Sequence, residues 1–157
     1  MKLDFLRRLY DEGLISLHES FGTWQDAVKA SIVPMVEKGM VTAAYGDEII
    51  RHVGEFGLYI FLAPHVCMPH CKAFSEVKRS GACLMKVNKP VYPDPEDPSM
   101  FAELFFAIAG TDSSQHLDCI QDLMEILDDE ETVEALLRVQ TVSELEKLLC
   151  GDPEAGK

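Results

Sequence analysis

The segment Tyr59–Lys72, which reads YIFLAPHVCMPHCK, places the tightest constraint on how this chain folds. Its first part, residues 59–63, is apolar and rich in β-forming side chains, a pattern typical of a buried strand. Pro64 and Pro69 cannot donate a backbone hydrogen bond to a neighbouring strand, so they end the strand and stiffen the residues after it. The pattern predicts a rigid turn at the end of a buried strand, where a reactive side chain can be both held and exposed. His70, directly after Pro69, is the predicted reactive residue.

Length and hydropathy predict one globular domain over residues 1–157. No apolar run approaches the roughly 18 residues that a membrane span needs. The N-terminal segment MKLDFLRRLYDEG carries acids and arginines among its apolar residues, unlike a secretory signal. We therefore expect a cytoplasmic protein with no direct membrane insertion.

The net charge is −13, from 14 basic and 27 acidic residues. A charge of this sign argues against nucleic acid and against anionic membrane surfaces as partners. The five cysteines are odd in number and unevenly spaced, which does not indicate a disulfide framework. Reduced thiols in a reducing compartment fit this pattern better.

Helical and strand patterns alternate along the chain, which predicts an α/β fold: a single-domain mixed β-sheet flanked by helices on both faces. The hairpin-like connector 73–80 between two of the strands favours a mixed over a parallel sheet. The predicted strands cover residues 14–18, 59–63, 81–87 and 103–110. The predicted helices cover residues 3–10, 24–38 with a cap at Thr23 and a kink or break at Pro34, 43–55, the segment to Leu127 from a cap at Ser113 or Ser114, 130–138, and the segment after a cap at Thr141 or Ser143. Residues 90–100 are predicted to form a surface loop and residues 151–157 a frayed tail.

Two histidines suit nucleophilic or phosphoryl-carrying chemistry. A neutral imidazole attacks through one ring nitrogen, and a hydrogen bond to the other nitrogen sets the tautomer. His70 is fixed by the preceding proline, and His116 lies at the start of the helix that follows strand 103–110. If the strands that lead to them are neighbours, the two side chains come together beside a helix N-terminus, whose N–H groups can bind a phosphoryl group. Spacing alone also allows a purely structural role for each histidine.

A metal site is an alternative that the same segment raises. His65, Cys67, His70 and Cys71 are ligand types that zinc accepts. Structural zinc sites, however, usually draw ligand pairs from two separate segments, and no second pair is present. Adjacent His70 and Cys71 could hardly bind one ion without strain. We therefore expect no metal.

Thiol chemistry at Cys67 or Cys71 is a further alternative. Cysteine is among the most buried residue types, so core packing is the simpler expectation for Cys67, Cys83, Cys119 and Cys150. A C-x-x-C pair is absent, which argues against dithiol redox work. Neither G-x-G-x-x-G nor a Walker A motif occurs, so a nucleotide cofactor is not expected.

Four segments, in this order, resemble a known family: FGTWQDAVKASIVPMVEKGMVTAAYGDEII, FGLYIFLAPHVCMPH, GACLMKVNKPV and AIAGTDSSQHLDCIQDLMEILDDEE. They are similar to the enzyme IIA component of the bacterial phosphoenolpyruvate-dependent sugar phosphotransferase system (PTS), mannitol/fructose class. The TWQDAV opening is most similar to the ascorbate-type branch. The resemblance covers roughly residues 14–150, and its most specific part is the strand leading to Pro69-His70 followed much later by D-x3-HL.

This resemblance implies a phosphocarrier enzyme without a cofactor. His70 matches the family's phosphorylated histidine, and His116 matches a second active-site histidine that positions the phosphoryl group. The donor would be phospho-HPr and the acceptor a cysteine of the IIB component, which works with a membrane IIC component. The implied cargo is a sugar or sugar-derived substrate, with ascorbate-like compounds favoured. A regulatory domain of the same fold, whose phosphorylation state controls binding to a regulator, is the alternative.

The sequence departs from the family pattern around His70. Small residues are usual at the positions of His65 and Cys67, and Ala-Arg is frequent where Cys71 and Lys72 stand. Lys72 keeps a positive charge but lacks the planar, bidentate contact that arginine makes with phosphate. We expect Lys72 and His65 to line the site and bind substrate or partner. For His65, a site-lining or neutral role is favoured over a second phosphorylation site.

Overall fold

The computed structural model describes residues 1–151. The helices are α1 (Asp4–Asp11), α2 (Trp24–Ser31), α3 (Val33–Glu37), α4 (Ala44–Phe56), α5 (Ser113–Leu127), α6 (Glu130–Arg138) and α7 (Val142–Cys150). The strands are β1 (Ile15–His18), β2 (Phe61–Ala63), β3 (His65–Cys67), β4 (Gly81–Val91) and β5 (Ala102–Ala109). A short 3₁₀ turn, Phe74–Glu76, lies in the connector before β4. No helix within residues 1–151 combines the length and apolar character that a membrane span requires.

The five strands form one sheet in the order β1-β4-β5-β3-β2. β1 runs parallel to β4 and β3 parallel to β5, whereas the pairs β4–β5 and β2–β3 are antiparallel. The predicted mixed sheet is confirmed. The reason given for it, a hairpin-like connector at 73–80, was wrong. β5 lies between β3 and β4, so this connector joins strands that are not neighbours.

Helices cover both faces of the sheet, as predicted. All positions of 82–87 in β4 and 104–109 in β5 are buried, which requires cover on either side. On one face the Cys83 thiol donates to the main-chain carbonyl of Ser31 at the end of α2, 2.9 Å away. Lys86 lies three positions further along the strand and hence on the other face. Its ammonium donates to the carbonyl of Val139, just after α6, at 2.7 Å.

Local capping and proline signals predicted the starts of three helices. Thr23 accepts a hydrogen bond from the Asp26 amide (3.1 Å), and Thr141 rather than Ser143 caps α7. The predicted helix 24–38 divides into α2 and α3 because Pro34 occupies the first turn of the second segment. Two details differ: Asp112, not Ser113 or Ser114, caps α5, and β4 continues through the first two residues of the predicted loop 90–100. Of the tail predicted to fray, residues 152–157 lie outside the described part of the chain.

The segment 59–63 is not a single buried strand, and this prediction was wrong. β2 lies at the sheet edge, where Leu62 is 44% exposed. The chain then reverses at Pro64 and His65, whose φ of +77° permits the tight change of direction. The buried strand that leads to His70 is β3, with Val66 and Cys67 in the core. Proline is tolerated here because, within residues 1–151, no strand pairs with the outer side of β2.

Candidate active site

His70 lies in a turn that is tied to the sheet on two sides. The Ile108 amide of β5 donates to the carbonyl of Pro69 (3.1 Å), and the Met68 amide donates to the carbonyl of Ile60 (2.7 Å). Both bonds immediately precede His70, so its backbone is placed at the carboxyl end of β5. The turn that carries His70 therefore follows the buried strand β3 and not the predicted strand 59–63.

The His70 imidazole has one nitrogen engaged and one available. Nδ1 lies 2.5 Å from the main-chain carbonyl of Met68. A carbonyl can only accept, so Nδ1 carries the proton and Nε2 carries the lone pair. Burial lowers the pKa of His70 because it disfavours the charged ring, while the hydrogen bond to Met68 acts in the opposite direction. A neutral imidazole with a free Nε2 is a nucleophile at neutral pH.

His116 lies beside His70, in the first turn of α5. The two ring centroids are 5.3 Å apart, so the predicted proximity of the histidines is confirmed. His116 is buried, and its Nε2 has no hydrogen-bond partner among residues 1–151. Its pKa is lowered, first by burial and then by the charges of His70 and Lys72. A buried polar nitrogen without a partner is uncommon in proteins and calls for a functional explanation.

A pocket of about 720 Å³ opens over the two histidines. Lys72 and Ser113, the latter in the first turn of α5, supply polar groups to its wall. Two apolar side chains also line it and are well exposed: Phe56 at 67% and Leu117 at 52%. An exposed apolar rim around a polar centre is typical of a surface that binds another protein.

Several residues of this pocket were not predicted from the sequence. His52 and Phe56 were not connected with His70, yet both lie in the last turns of α4 and line the pocket. Tyr59, taken as the start of a strand, also lies in the wall. A usable signal was the i, i+4 spacing of His52 and Phe56 at a helix end close in sequence to the turn that carries His70.

The expectation that His65 lines the same pocket is wrong. In the pairing of β3 with β5, His65 stands opposite Ala102, whereas the turn before His70 is bonded to Ile108. Ala102 and Ile108 are six residues apart along β5, which corresponds to about 20 Å. The His65 Nδ1 instead lies 3.0 Å from a Glu103 carboxylate oxygen. Its side chain borders a different groove, between the sheet edge and helices α5 and α6.

The structure does not assemble the alternative zinc ligands. His65 is turned to Glu103 at the other end of β3, and Cys67 is fully buried. Within residues 1–151, no group of three His, Cys, Asp or Glu side chains is placed to hold an ion. Burial also raises the pKa of the Cys67 and Cys71 thiols, which makes them poor nucleophiles at neutral pH.

The core prediction for the cysteines is correct for Cys67 and Cys83, which are fully buried. Cys119 is only partly buried, and Cys150, at the last position of α7, is exposed.

Comparison with known proteins decides between the chemistries that this pocket allows. Residues 8–150 match the family model described as phosphoenolpyruvate-dependent sugar phosphotransferase system, EIIA 2. The chain belongs to this family. It is a phosphotransferase, a phosphocarrier of a sugar PTS that acts through a phosphohistidine.

Relatives of this EIIA chain include transport components for different substrates. An ascorbate-specific PTS system EIIA component from Mycoplasma pneumoniae is 29% identical, over 87% of this chain and 85% of the relative. The solution structure of the mannitol-specific cryptic phosphotransferase enzyme IIA from Escherichia coli is 29% identical, with a TM-score of 0.76 and coverage of 90% of this chain and 97% of that one. The mannitol enzyme IIA of E. coli, solved in complex with phosphorylated enzyme IIB, shares the fold at 24% identity, with a TM-score of 0.71 over 89% and 96% of the two chains.

Gly110 controls the position of His116, which leads to a prediction. A Cβ at Gly110 would lie 2.6 Å from the backbone nitrogen, Cα and Cβ of His116, far inside contact distance. In Gly110→Ala, the first turn of α5 must therefore move. We expect a loss of about 1–3 kcal/mol in the free energy of unfolding and a loss of up to roughly 100-fold in phosphoryl transfer, since a shift of about 1 Å has this effect in other enzymes.

Urea unfolding and a transfer assay on the same preparation measure both effects of Gly110→Ala. Gly54→Ala is the matched control, because Gly54 lies within α4 and a Cβ there meets no atom within 4 Å. A Gly110→Ala protein with unchanged stability would show that the α5 turn is more adaptable than its contacts indicate.

Proposed function

We propose that His70 Nε2 accepts the phosphoryl group of phospho-HPr and passes it to a cysteine of a IIB component. The observation that carries this proposal is the hydrogen bond of His70 Nδ1 to Met68, beside a His116 Nε2 that has no partner within residues 1–151. Together they provide a nucleophilic nitrogen and a nearby group able to donate to a phosphoryl oxygen.

The phosphoryl transfer requires no proton to leave His70. The Nε2 lone pair forms the new bond to phosphorus, and the N–P bond of phospho-HPr breaks, with its electron pair returning to the donor imidazole. The Nδ1 proton stays on the ring, hydrogen-bonded to the carbonyl of Met68, which stabilises the positive character that the ring gains when Nε2 becomes bonded to phosphorus. In the second step a cysteine thiolate of IIB attacks phosphorus, an S–P bond forms, and the His70 N–P bond breaks.

Catalysis of such a transfer depends mainly on alignment and on stabilisation of the equatorial oxygens. His116 Nε2 is the proposed donor to one oxygen. Lys72 adds a positive charge from the pocket wall, and Ser113 places the start of α5 beside the pocket. The partial positive charge of a helix N-terminus favours a phosphoryl group there.

The proposed partners and cargo rest on the surface and the family. Phe56 and Leu117 form an apolar rim that HPr and IIB would contact in turn, and the acidic chain would favour a donor with a basic face. We propose that residues 1–157 act as one cytoplasmic EIIA domain for a membrane IIC component. The ascorbate-specific relatives support an ascorbate-like cargo, and the mannitol-type relatives make a hexitol the competing one.

Intact mass spectrometry tests this function directly. The protein is incubated with phosphoenolpyruvate, enzyme I and HPr, and we expect one added phosphoryl group that is labile to acid. Addition of a cognate IIB should then remove that group. A protein that stays unmodified, while the same relay phosphorylates a known EIIA, would overturn the proposal.

The lowered pKa values predict a specific pH dependence. An unfolded histidine has a pKa of about 6.5, and burial places both His70 and His116 below it. The unfolded chain therefore binds more protons below about pH 6.5, so the free energy of unfolding decreases as the pH falls through this value and on through the folded pKa. His70 should remain neutral, and hence nucleophilic, at pH values where a free imidazole is half protonated.

NMR titration of the His70 and His116 ring protons measures both pKa values, and urea unfolding between pH 8 and pH 5 measures stability. A His70 midpoint at or above the ordinary histidine value would contradict the neutral nucleophile.

A further inference from the structure

Tyr59 is hydrogen-bonded to the backbone of His70. α4 ends at Phe56, and Gly57 directly after it has a φ of +92°, which ends the helix. Two residues later the Tyr59 hydroxyl donates to the main-chain carbonyl of His70 at 2.5 Å. Burial raises the pKa of Tyr59 to about 12, so the hydroxyl keeps its proton and stays a donor throughout the physiological range.

The Tyr59 ring also contacts the His70 imidazole. The two ring centroids are 5.3 Å apart, and the planes are nearly perpendicular at 83°. The His116 ring lies at the same centroid distance from His70. The His70 imidazole therefore has the rings of Tyr59 and His116 as neighbours. Its Nδ1 also donates a hydrogen bond to the carbonyl of Met68. A 180° flip of the imidazole would put Cδ2 in place of Nδ1 at the carbonyl of Met68 and so break that hydrogen bond.

We propose that Tyr59 is a positioning residue for phosphoryl transfer: its hydroxyl and its ring hold His70 so that Nε2, not Nδ1, is the reacting nitrogen. This role rests on the proposed function of His70. The hydroxyl acts on the main chain of His70 and the ring acts on the side chain, so the two halves of Tyr59 can be separated by mutation.

A second tyrosine shows why Tyr59 can be tested without loss of the fold. Tyr45 is fully buried, and its hydroxyl donates to the carbonyl of Ile108 at 2.7 Å. Loss of that hydroxyl would leave a buried carbonyl without its partner, which is destabilising. Tyr59 is only half-buried, so in Tyr59→Phe water can reach the carbonyl of His70.

The test compares Tyr59→Phe with wild type and with Tyr92→Phe. Tyr92 is 53% exposed after β4, and its hydroxyl has no partner within residues 1–151, so its variant should behave as wild type. We expect Tyr59→Phe to lower kcat for phosphoryl acceptance roughly 10-fold, a fraction of the effect of a 1 Å misplacement. The KM for phospho-HPr should stay unchanged. Tyr59→Leu, which also loses the ring contact, should lose more.

Nitrogen-15 NMR of the His70 ring supplies a readout that a general structural role would not move. Wild type should show a single tautomer with the proton on Nδ1, and Tyr59→Phe should show exchange between the two nitrogens. A wild-type rate in Tyr59→Phe, or a lower rate with an unchanged His70 spectrum, would overturn the role of Tyr59. If the wild-type protein accepted no phosphoryl group, the proposed function would fail, and the His70 spectra would still decide whether Tyr59 orients the ring.

Discussion

Replacement of His70 by glutamine is expected to abolish phosphoryl acceptance and leave the fold intact. Glutamine has no nucleophilic nitrogen, so no N–P bond can form at this position. Removal of the nucleophile from other enzymes lowers the rate by about 10⁴-fold or more. Among residues 1–151 the His70 side chain makes one hydrogen bond, to a carbonyl two residues before it. Its ring borders the open pocket, so stability should change by no more than about 1 kcal/mol.

The measurement for His70→Gln is intact mass after incubation with the complete relay, with circular dichroism and urea unfolding to show that the variant is folded. His65→Gln is the matched control, since the structure places His65 against Glu103 and in a different groove. That control should become phosphorylated as wild type does. Phosphoryl uptake by folded His70→Gln would show that another residue is the acceptor. Loss of uptake in His65→Gln would show that His65 takes part in the transfer.

Replacement of His116 should have the second-largest effect. His116→Leu keeps an apolar side chain of similar bulk but lacks a donor, and we expect a loss of about 10²–10³-fold in the rate of transfer, as for removal of one oxyanion donor. The remaining phosphoryl group should still be found on His70. His116→Gln, which retains an N–H donor, should lose less. The His116 Nε2 has no partner within residues 1–151, so neither variant should lose much stability.

Rapid-quench measurement of the single-turnover rate from phospho-HPr distinguishes these His116 variants. His18→Leu serves as the control, because His18 is an exposed residue at the end of β1. A His116→Leu rate within about threefold of wild type would show that another group stabilises the phosphoryl oxygens. Equal rates for the Leu and Gln variants would exclude the N–H donor as the relevant property of His116.

The amino-acid sequence by itself determined the local elements and singled out the two histidines that meet in the pocket. Thr23 and Thr141 mark helix starts, and Pro34 divides one helix, because caps and prolines act on hydrogen bonds a few residues away. The apolar runs of β4 and β5 reflect burial on both faces. His70 could be selected because the proline before it and the strand leading to it lie in the same short segment.

Only the tertiary structure decided which side chains share the pocket. The strand order depends on contacts between segments that are distant in the sequence. The position of β5 between β3 and β4 therefore could not be predicted from any single segment. The reversal at His65 sends that residue to the opposite end of β3 from His70, although only four residues separate the two in the chain. Tyr59, eleven residues before His70, is returned to it by the same reversal. Distance along the chain is a poor guide to distance in space wherever one turn changes the direction of a strand.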